Sequence, residues 1–303
     1  MRHCTERELE GLVSLPDAMT ALREAFIARA AGAAPVQTRV ATELDGLRLN
    51  TMAAIIPALG VCGAKVYTAV NAKFCFVVLL FSLDDGRLLA TLEANGLTKL
   101  RTAAVSALAA EHLARSDSAT LAIFGTGTQA AGHATALAAR FQLREILVVG
   151  RALAAAFARE VQAATGVAAQ VTTAQDAVQR ADIVVTATRS RTPVFDGRQV
   201  RQGCCVLAIG SARPDAAEID ATTFQRASII CVEDIGQARH EAGDLLAAHA
   251  AGVPVWDRLT ELGAILAGKA PGRAAPGEIT LFESLGFALE DIALAALAWS
   301  RAR

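Results

Sequence analysis

The amino-acid sequence predicts an α/β protein built on a doubly wound parallel sheet, together with a second, discontinuous α+β domain. Short and almost continuously apolar segments alternate with helix-length segments through the middle of the chain. This pattern is typical of strands that are covered by helices on both faces of a parallel sheet. The 303 residues also exceed what one hydrophobic core usually holds, which favours two domains.

A glycine-rich turn follows the first of the apolar strand segments, residues 118–124. It consists of six consecutive residues: Gly125, Thr126, Gly127, Thr128, Gln129 and Ala130. In such a turn the first glycine permits a sharp bend, the second lets a phosphate approach the backbone, and the small last residue lets the helix pack on its strand. We therefore expect this turn to bind a dinucleotide pyrophosphate at a helix N-terminus, as in a Rossmann-type domain.

The end of the next strand segment indicates which dinucleotide is bound. Residues 145–149 are followed by Gly150 and Arg151, with no Asp or Glu nearby. An acid at this place binds the ribose 2′-hydroxyl of NAD, whereas a cation fits the 2′-phosphate of NADP. We expect NADPH as the cofactor, with Arg151 at its 2′-phosphate and NADH as the alternative.

Composition excludes several other classes of protein. Twenty-nine basic and 30 acidic residues give a net charge of −1, so nucleic acid is not an expected partner. The longest apolar run, residues 74–81, is far shorter than the roughly 20 residues that cross a bilayer. The charged N-terminus has no apolar signal core, and the cysteines and histidines lack metal-ligand spacing. We expect a cytoplasmic protein without a membrane segment or a metal.

The domain boundaries follow from a change of pattern along the chain. We expect the Rossmann-type domain to span residues 115–275. Residues 1–114 contain a helix, 16–31, and runs typical of antiparallel strands, such as 63–70 and 74–82. Residues 281–302 predict one amphipathic helix, so we expect 276–303 to return to this first domain.

Several segments resemble the ornithine cyclodeaminase/mu-crystallin family. They are K-L-R-T-A-A-V-S-A at 99–107, the turn at 125–130, G-S-A-R-P-D-A-A-E-I-D at 210–220, A-G-D-L at 242–245 and F-E-S-L-G at 282–286. The resemblance implies a homodimer whose substrate domains share a β-barrel, with a Rossmann domain in each subunit. It also implies that the substrates are small imino or amino acids, bound by residues 1–114 and 276–303.

The resemblance places three cations at the substrate carboxylate: Arg39, Lys65 and Arg101. Arginine offers a planar two-pronged donor and lysine a movable point charge, and fixing the carboxylate would orient the neighbouring C=N carbon. We expect Lys65 and Arg101 to be catalytic as well. Ser211 follows the strand segment 204–209, and we expect it at the nicotinamide end of the cofactor.

Two departures from the family pattern indicate the reaction. Cyclodeaminases carry one acid where this chain has Ala212 and a second where it has Asn50. Without them the chain lacks an obvious acid–base pair for ring closure with loss of ammonia. A cofactor and a carboxylate clamp still suffice for hydride transfer. We therefore expect reduction of cyclic ketimine 2-carboxylates, Δ1-pyrroline-2-carboxylate to L-proline and Δ1-piperideine-2-carboxylate to L-pipecolate.

Two alternatives share the same sequence features. One is an open-chain amino acid dehydrogenase or imino acid reductase that acts on alanine, iminosuccinate or an N-alkyl amino acid. The other is a protein of mu-crystallin type that holds NADPH and a small ligand with little turnover. The sequence names no proton donor. His133, just inside the helix after the glycine turn, is expected on the helix surface.

Overall fold

The structure is a computed structural model that describes residues 2–70, 73–210 and 212–302. The chain divides into two compact units. Unit 1 comprises the residues up to Val105 and those from Gly286 onward, and unit 2 comprises Ser106–Leu285.

Unit 1 contains a mixed sheet in which the described strands have the order β1-β6-β5-β4-β3-β2. Only β1 and β6 pair in parallel; the other neighbours are antiparallel. The elements up to the end of the long third helix are β1 (Arg2–Cys4), α1 (Glu6–Leu9), α2 (Leu15–Ala30), β2 (Val36–Leu44), β3 (Leu47–Ile56), β4 (Val61–Val70), β5 (Lys73–Ser82), β6 (Leu88–Glu93) and α3 (Asn95–Leu113).

Turn chemistry and side-chain alternation set the register of this sheet. Asp45 and Gly46 join β2 to β3 and both have positive φ, 47° and 82°, which matches the twist of a two-residue hairpin. Along β3 the buried positions alternate with more exposed ones, so that Asn50, Met52 and Ala54 lie on one face. The sequence predicted β4 and β5, as the runs 63–70 and 74–82, but not β2.

Unit 2 contains a parallel sheet with the strand order β13-β12-β14-β11-β10-β7-β8-β9. Its elements are β7 (Thr120–Phe124), α4 (Thr128–Arg140), β8 (Glu145–Val149), α5 (Ala154–Thr165), β9 (Ala168–Val171), α6 (Ala174–Arg180), β10 (Ile183–Thr186), β11 (Cys205–Ala208), α7 (Ala221–Arg226), β12 (Ile229–Val232), α8 (Ile235–Glu241), α9 (Gly243–Ala250), β13 (Leu259–Glu261), α10 (Leu262–Leu266) and β14 (Thr280–Glu283). The order reverses between β7 and β10, the kind of switch point at which such sheets bind ligands. The predicted doubly wound sheet is confirmed.

The sequence predicted one helix over residues 281–302, and this prediction is wrong. Thr280–Glu283 form β14, which lies between β11 and β12 in unit 2. The helix begins only at Ala288, as α11 (Ala288–Arg301). Its first ten residues are mostly buried, and Ile292 packs against Gly63 on β4, where a Cβ atom would come within 2.8 Å of Ile292 Cδ1.

Two further features of the chain bear on its class. No described helix is long and apolar enough to cross a membrane. The six cysteines are free, and four of them, Cys4, Cys204, Cys205 and Cys231, are buried. Burial raises the pKa of the Cys205 thiol to about 11, so it stays protonated at neutral pH.

Asp182 connects several segments of unit 2 at the start of β10. One carboxylate oxygen accepts hydrogen bonds from the backbone N–H groups of Ala119 and Thr120, at 2.8 and 3.0 Å. The other oxygen lies 2.9 Å from Arg115 Nη2 and 3.0 Å from Arg201 Nη1. Because Asp182 is buried, its loss would leave the two backbone N–H groups without this acceptor and the two arginines without a buried counter-charge.

We expect Asp182→Asn to destabilise the protein by about 2–4 kcal/mol, since two backbone N–H groups and two guanidinium groups would face a weaker acceptor. Urea unfolding followed by circular dichroism measures this. Asp117→Asn is the matched control, because Asp117 binds the same Arg115 at 2.9 Å but its side chain is 76% exposed. Equal stability of the two variants would contradict the role given to Asp182.

Candidate active site

The glycine turn at residues 125–130, here called the phosphate loop, lies between β7 and α4 in unit 2. Gly125 has a φ of 111°, and a Cβ atom there would overlap the carbonyl oxygen of Ala187. At Gly127 a Cβ atom would meet nothing within 4 Å, so the backbone faces open space. Gly127 is the N-cap residue of α4 and forms no side-chain hydrogen bond. The first backbone N–H groups of α4 therefore have no side-chain cap and are the kind of donors that bind a phosphate. These features fit a dinucleotide pyrophosphate.

Three of the expected cofactor residues, Thr126, Ala130 and Arg151, lie in this loop or close to it. Ala130 is fully buried on the inner side of α4. Thr126 packs against Gly150, where a Cβ atom would come within 2.8 Å of Thr126 Cγ2. Arg151 follows directly and is exposed just beyond the carboxyl end of β8. Ser211 lies outside the described residues.

His133 differs from the prediction of a surface histidine, which is wrong, because its side chain is fully buried. One ring nitrogen lies 2.7 Å from the carbonyl oxygen of Gln129 and the other 2.9 Å from the Ser106 hydroxyl. The side chain therefore ties the first turn of α4, and with it the phosphate loop, to the second half of α3.

Buried carboxyl groups hold the loops that follow β10 and β11. Glu218 accepts hydrogen bonds from the backbone N–H groups of Thr188, at 2.6 Å, and Gly210, at 2.7 Å. Asp244 in turn accepts from the N–H groups of Glu218 and Ile219, at 2.6 and 2.8 Å. Burial raises the pKa of the Glu218 carboxyl, an effect that these hydrogen bonds oppose.

Glu283, at the end of β14, faces the same group of carboxyls. Burial above all, and then the charge of Asp244, hold the pKa of Glu283 well above its usual range and favour its neutral form. Sequence reasoning did not identify these acids as a group. The signal was present, since Glu218, Asp244 and Glu283 fall in the three segments 210–220, 242–245 and 282–286 that carry the family resemblance.

The three sequence-predicted cations belong to one cluster in unit 1. The cation cluster, as we call it, consists of Arg39, Lys65, Arg101, Glu290 and Asp291. Lys65 is 1% exposed, and its Nζ lies 2.8 Å from Asp291 Oδ1 and 2.8 Å from the hydroxyl of Thr98. Lys65 therefore has the opposite charge that a buried ammonium requires.

Arg101 shares the same carboxylate. Its Nε donates to Asp291 Oδ1 at 3.1 Å, and its Nη1 donates to Glu290 Oε2 at 2.7 Å. The guanidinium lies against Gly286, where a Cβ atom would come within 2.8 Å of both terminal nitrogens. Arg39 donates to the carbonyl oxygen of Gly286 at 3.1 Å. Asp291 and Gly286 thus bring the three cations together.

The electrostatics of the cation cluster act most strongly on Lys65. Burial lowers the pKa of its ammonium, the charge of Asp291 opposes this, and the charges of Arg101 and Arg39 lower it further, to about 8. The ring centre of Phe76 lies 4.4 Å from Nζ, which gives the ammonium a favourable cation–π contact.

Sequence reasoning missed Glu290, Asp291 and Thr98. Glu290 and Asp291 are adjacent acids at the start of an otherwise apolar helix, and both are buried. The available signal in the sequence was this pair of adjacent acids within a segment that is otherwise almost entirely apolar, because such a helix has no polar face for both side chains. Which cations they meet could not be inferred, because Lys65 and Arg101 lie about 190 to 226 residues away in sequence.

A parallel sheet with this strand order and phosphate loop defines unit 2 as a dinucleotide-binding domain of Rossmann type. The family model described as ornithine cyclodeaminase/mu-crystallin family matches residues 1–303. The chain belongs to this family.

Two curated relatives illustrate the range of the family. An alanine dehydrogenase of Archaeoglobus fulgidus is 33% identical over 98% of this chain and 94% of its own length. A Δ1-pyrroline-2-carboxylate reductase of Bacillus cereus is 36% identical over 88% of this chain and 86% of its own length.

Two solved structures have the same fold over almost the whole chain, each with a TM-score of 0.96. A probable ornithine cyclodeaminase of Bordetella pertussis is 43% identical and matches 99% of this chain and 96% of its own. A Δ1-pyrroline-2-carboxylate reductase of Thermococcus litoralis, solved with NADH and L-proline, is 28% identical and matches 100% of this chain and 97% of its own.

We expect Asp291→Asn to lower the pKa of Lys65 below its value of about 8, because the nearest anion that favours the ammonium is removed. Nuclear magnetic resonance of the lysine side chains in isotopically labelled protein measures the titration. Glu290→Gln is the comparison, since it removes one negative charge on the same helix turn without a contact to Lys65. Equal shifts in both variants would argue against the direct pair.

Proposed function

We propose that this chain reduces cyclic ketimine 2-carboxylates with NADPH, giving L-proline from Δ1-pyrroline-2-carboxylate and L-pipecolate from Δ1-piperideine-2-carboxylate. The broader class is an NAD(P)H-dependent oxidoreductase that acts on C–N bonds. The observation that carries the narrower proposal is the cation cluster, which brings three cations together, two of them, Lys65 and Arg101, buried.

The charges of the cation cluster favour a substrate that carries a carboxylate. In their charged forms Arg39, Lys65 and Arg101 contribute three positive charges, and Glu290 and Asp291 contribute two negative charges. One positive charge remains, which a monocarboxylate neutralises.

In the proposed mechanism the chain binds and orients the imino acid. Arg39, Lys65 and Arg101 hold the substrate carboxylate, so that the adjacent C=N carbon is fixed in one orientation. NADPH, when bound, supplies a hydride to that carbon. Protonation of the substrate nitrogen makes the carbon a better electrophile, and a cyclic imine that arrives protonated needs no acid from the protein. Because the pKa of Lys65 is about 8, the clamp loses a cation above that pH.

Residues 125–130 and Arg151 are proposed to hold the cofactor. The open backbone at Gly127 and the uncapped start of α4 support pyrophosphate binding there. The exposed position of Arg151 beyond β8, with no acid nearby, supports a role at the 2′-phosphate. Ser211 keeps its proposed place at the nicotinamide end on sequence grounds alone.

Ornithine cyclodeamination is the weaker proposal, although a structural relative carries the name of a probable ornithine cyclodeaminase. The chain has Asn50 and Ala212 where the resemblance leads us to expect acids. Neither side chain can take up or release a proton in amine chemistry.

We also propose a homodimer that forms through the sheet of unit 1. Large apolar side chains are exposed on its strands β2 to β5: Val40, Leu44, Leu47, Leu49, Ile55, Val70 and Phe74. Such exposure is unusual for a free surface and common where subunits associate. One solved relative, an archaeal alanine dehydrogenase, is described as a dimer.

We expect fast NADPH oxidation with Δ1-pyrroline-2-carboxylate. With pyruvate plus ammonia or methylamine we expect the rate to be lower by a factor of about ten or more. Absorbance of NADPH in parallel reactions measures this. Activity confined to the open-chain mixtures would move the assignment to an amino acid dehydrogenase. No oxidation in any mixture, with NADPH binding seen by fluorescence, would favour the ligand-binding alternative.

We expect Arg151→Ala to weaken NADPH binding by about tenfold to a hundredfold, because a charged partner of the 2′-phosphate is lost, and to leave NADH binding nearly unchanged. Fluorescence titration with both cofactors measures this. Arg144→Ala is the matched control, since Arg144 is exposed just before the opposite end of β8. Equal losses for NADPH and NADH would rule out the 2′-phosphate contact.

A further inference from the structure

Asn50 on β3 is a buried polar side chain whose amide is unpaired in the structure. The residue is 1% exposed, and neither Oδ1 nor Nδ2 has a hydrogen-bond partner. In native proteins nearly all buried amide groups form hydrogen bonds. An exception needs an explanation, and one explanation is that the amide binds a ligand. The sequence indicated only that Asn50 occupies a position where cyclodeaminases have an acid.

The register of the sheet places Asn50 beside the cation cluster. Asn50 is paired with Tyr67 on β4, and Lys65 lies two residues before Tyr67 on the same face. Side chains that are paired across strands have Cβ atoms about 5 Å apart, and diagonal neighbours about 7–8 Å. The buried face that carries Asn50 is therefore the face that carries Lys65, within reach of a ligand held by the cations.

We propose that Asn50 accepts a hydrogen bond from the N–H group of the protonated imino substrate through its amide oxygen. This proposal rests on the proposed function, in which Arg39, Lys65 and Arg101 already hold the carboxylate. The substrate then has one polar group left, its iminium nitrogen, which can only donate. A buried acceptor next to the clamp is what that nitrogen needs, and Asn50 provides one.

A neutral acceptor leaves the excess positive charge of the cation cluster available to the substrate carboxylate. The cation cluster has one positive charge in excess, and the substrate carboxylate uses it. A carboxylate at position 50 would place a third buried anion beside Glu290 and Asp291 and would compete with the substrate for the cations. The amide of Asn50 fixes the substrate nitrogen without this competition.

The competing acceptor is Asp291 Oδ2, which is also buried without a partner. The other oxygen of this carboxylate already binds Lys65 and Arg101, so Asp291 is committed to the cations. Asn50 has no such commitment. Substitution of Asn50 separates the two acceptors, because it leaves Asp291 in place.

Two planar ring acids test the proposal by binding alone. Pyrrole-2-carboxylate carries a ring N–H next to its carboxylate, and furan-2-carboxylate has the same shape with an oxygen acceptor instead. Calorimetry in the presence of the cofactor gives the dissociation constant of each acid. We expect the wild-type protein to bind pyrrole-2-carboxylate about tenfold more tightly than furan-2-carboxylate, the usual effect of one buried hydrogen bond.

Variants of Asn50 give two different signatures. Asn50→Leu, similar in size, should remove the preference and leave furan-2-carboxylate binding about unchanged. Asn50→Asp should weaken both acids, because it adds a negative charge, and should widen the preference for pyrrole, because a charged acceptor forms the stronger hydrogen bond. Thr51→Val, the next residue on the opposite face of β3, is the control and should keep the wild-type ratio.

The outcomes separate this proposal from the proposed function. Wild-type discrimination that survives in Asn50→Leu would overturn the role of Asn50 and point to Asp291. Equal wild-type binding of the two acids would overturn it as well. If the wild-type protein fails to reduce Δ1-pyrroline-2-carboxylate but discriminates through Asn50, the proposed function fails and the N–H acceptor stands.

Discussion

One carboxylate oxygen, Oδ1 of Asp291, is the point on which the site in unit 1 depends. It binds Lys65 Nζ at 2.8 Å and Arg101 Nε at 3.1 Å. Two buried cations would repel each other and lose their hydration, and only a closely placed anion makes the arrangement favourable. The cluster therefore depends on the packing of the helix that carries Asp291 against β4. Gly63 allows this close packing, because a larger residue there would collide with Ile292.

The cation cluster of unit 1 and the carboxyl group of unit 2 formed by Glu218, Asp244 and Glu283 handle buried charge in different ways. In unit 1, opposite charges neutralise each other within the cation cluster. In unit 2, the carboxyls of Glu218 and Asp244 are held by backbone N–H groups, and Glu283 favours its neutral form. The first arrangement leaves one positive charge in excess. The second fixes the loops after β10 and β11, which border the carboxyl ends of the strands where dinucleotides bind in sheets of this type.

The structure shows which contacts are made by the residues that carry the family resemblance. Arg101, in segment 99–107, holds Glu290 and Asp291. Ser106, in the same segment, binds His133 and so supports the phosphate loop. Glu283 and Gly286 lie in one five-residue segment, yet one belongs to unit 2 and the other to unit 1. These segments hold the phosphate loop and the cation cluster in position as well as contributing to them.

The sequence by itself determined the parallel sheet, the phosphate loop and the three cations of the proposed clamp. The sheet and the loop leave a local record, namely apolar runs that alternate with helices and glycines at fixed spacing, whereas the three cations were indicated by the family resemblance. The strand β14 and the burial of His133 left no such record. A short apolar run has the same composition in a strand as in a buried helix, and its neighbours β11 and β12 decide between them.

Only the tertiary structure decided what each charged residue meets. The pairing of Lys65 and Arg101 with Asp291 joins residues from opposite ends of the chain, and no spacing rule connects them. The same holds for Asn50. The sequence shows only a polar residue, and the structure shows that its amide is buried without a hydrogen-bond partner. Local patterns specify strands, helices and turns, whereas the free energy of a buried charge or amide depends on neighbours that the fold alone brings near.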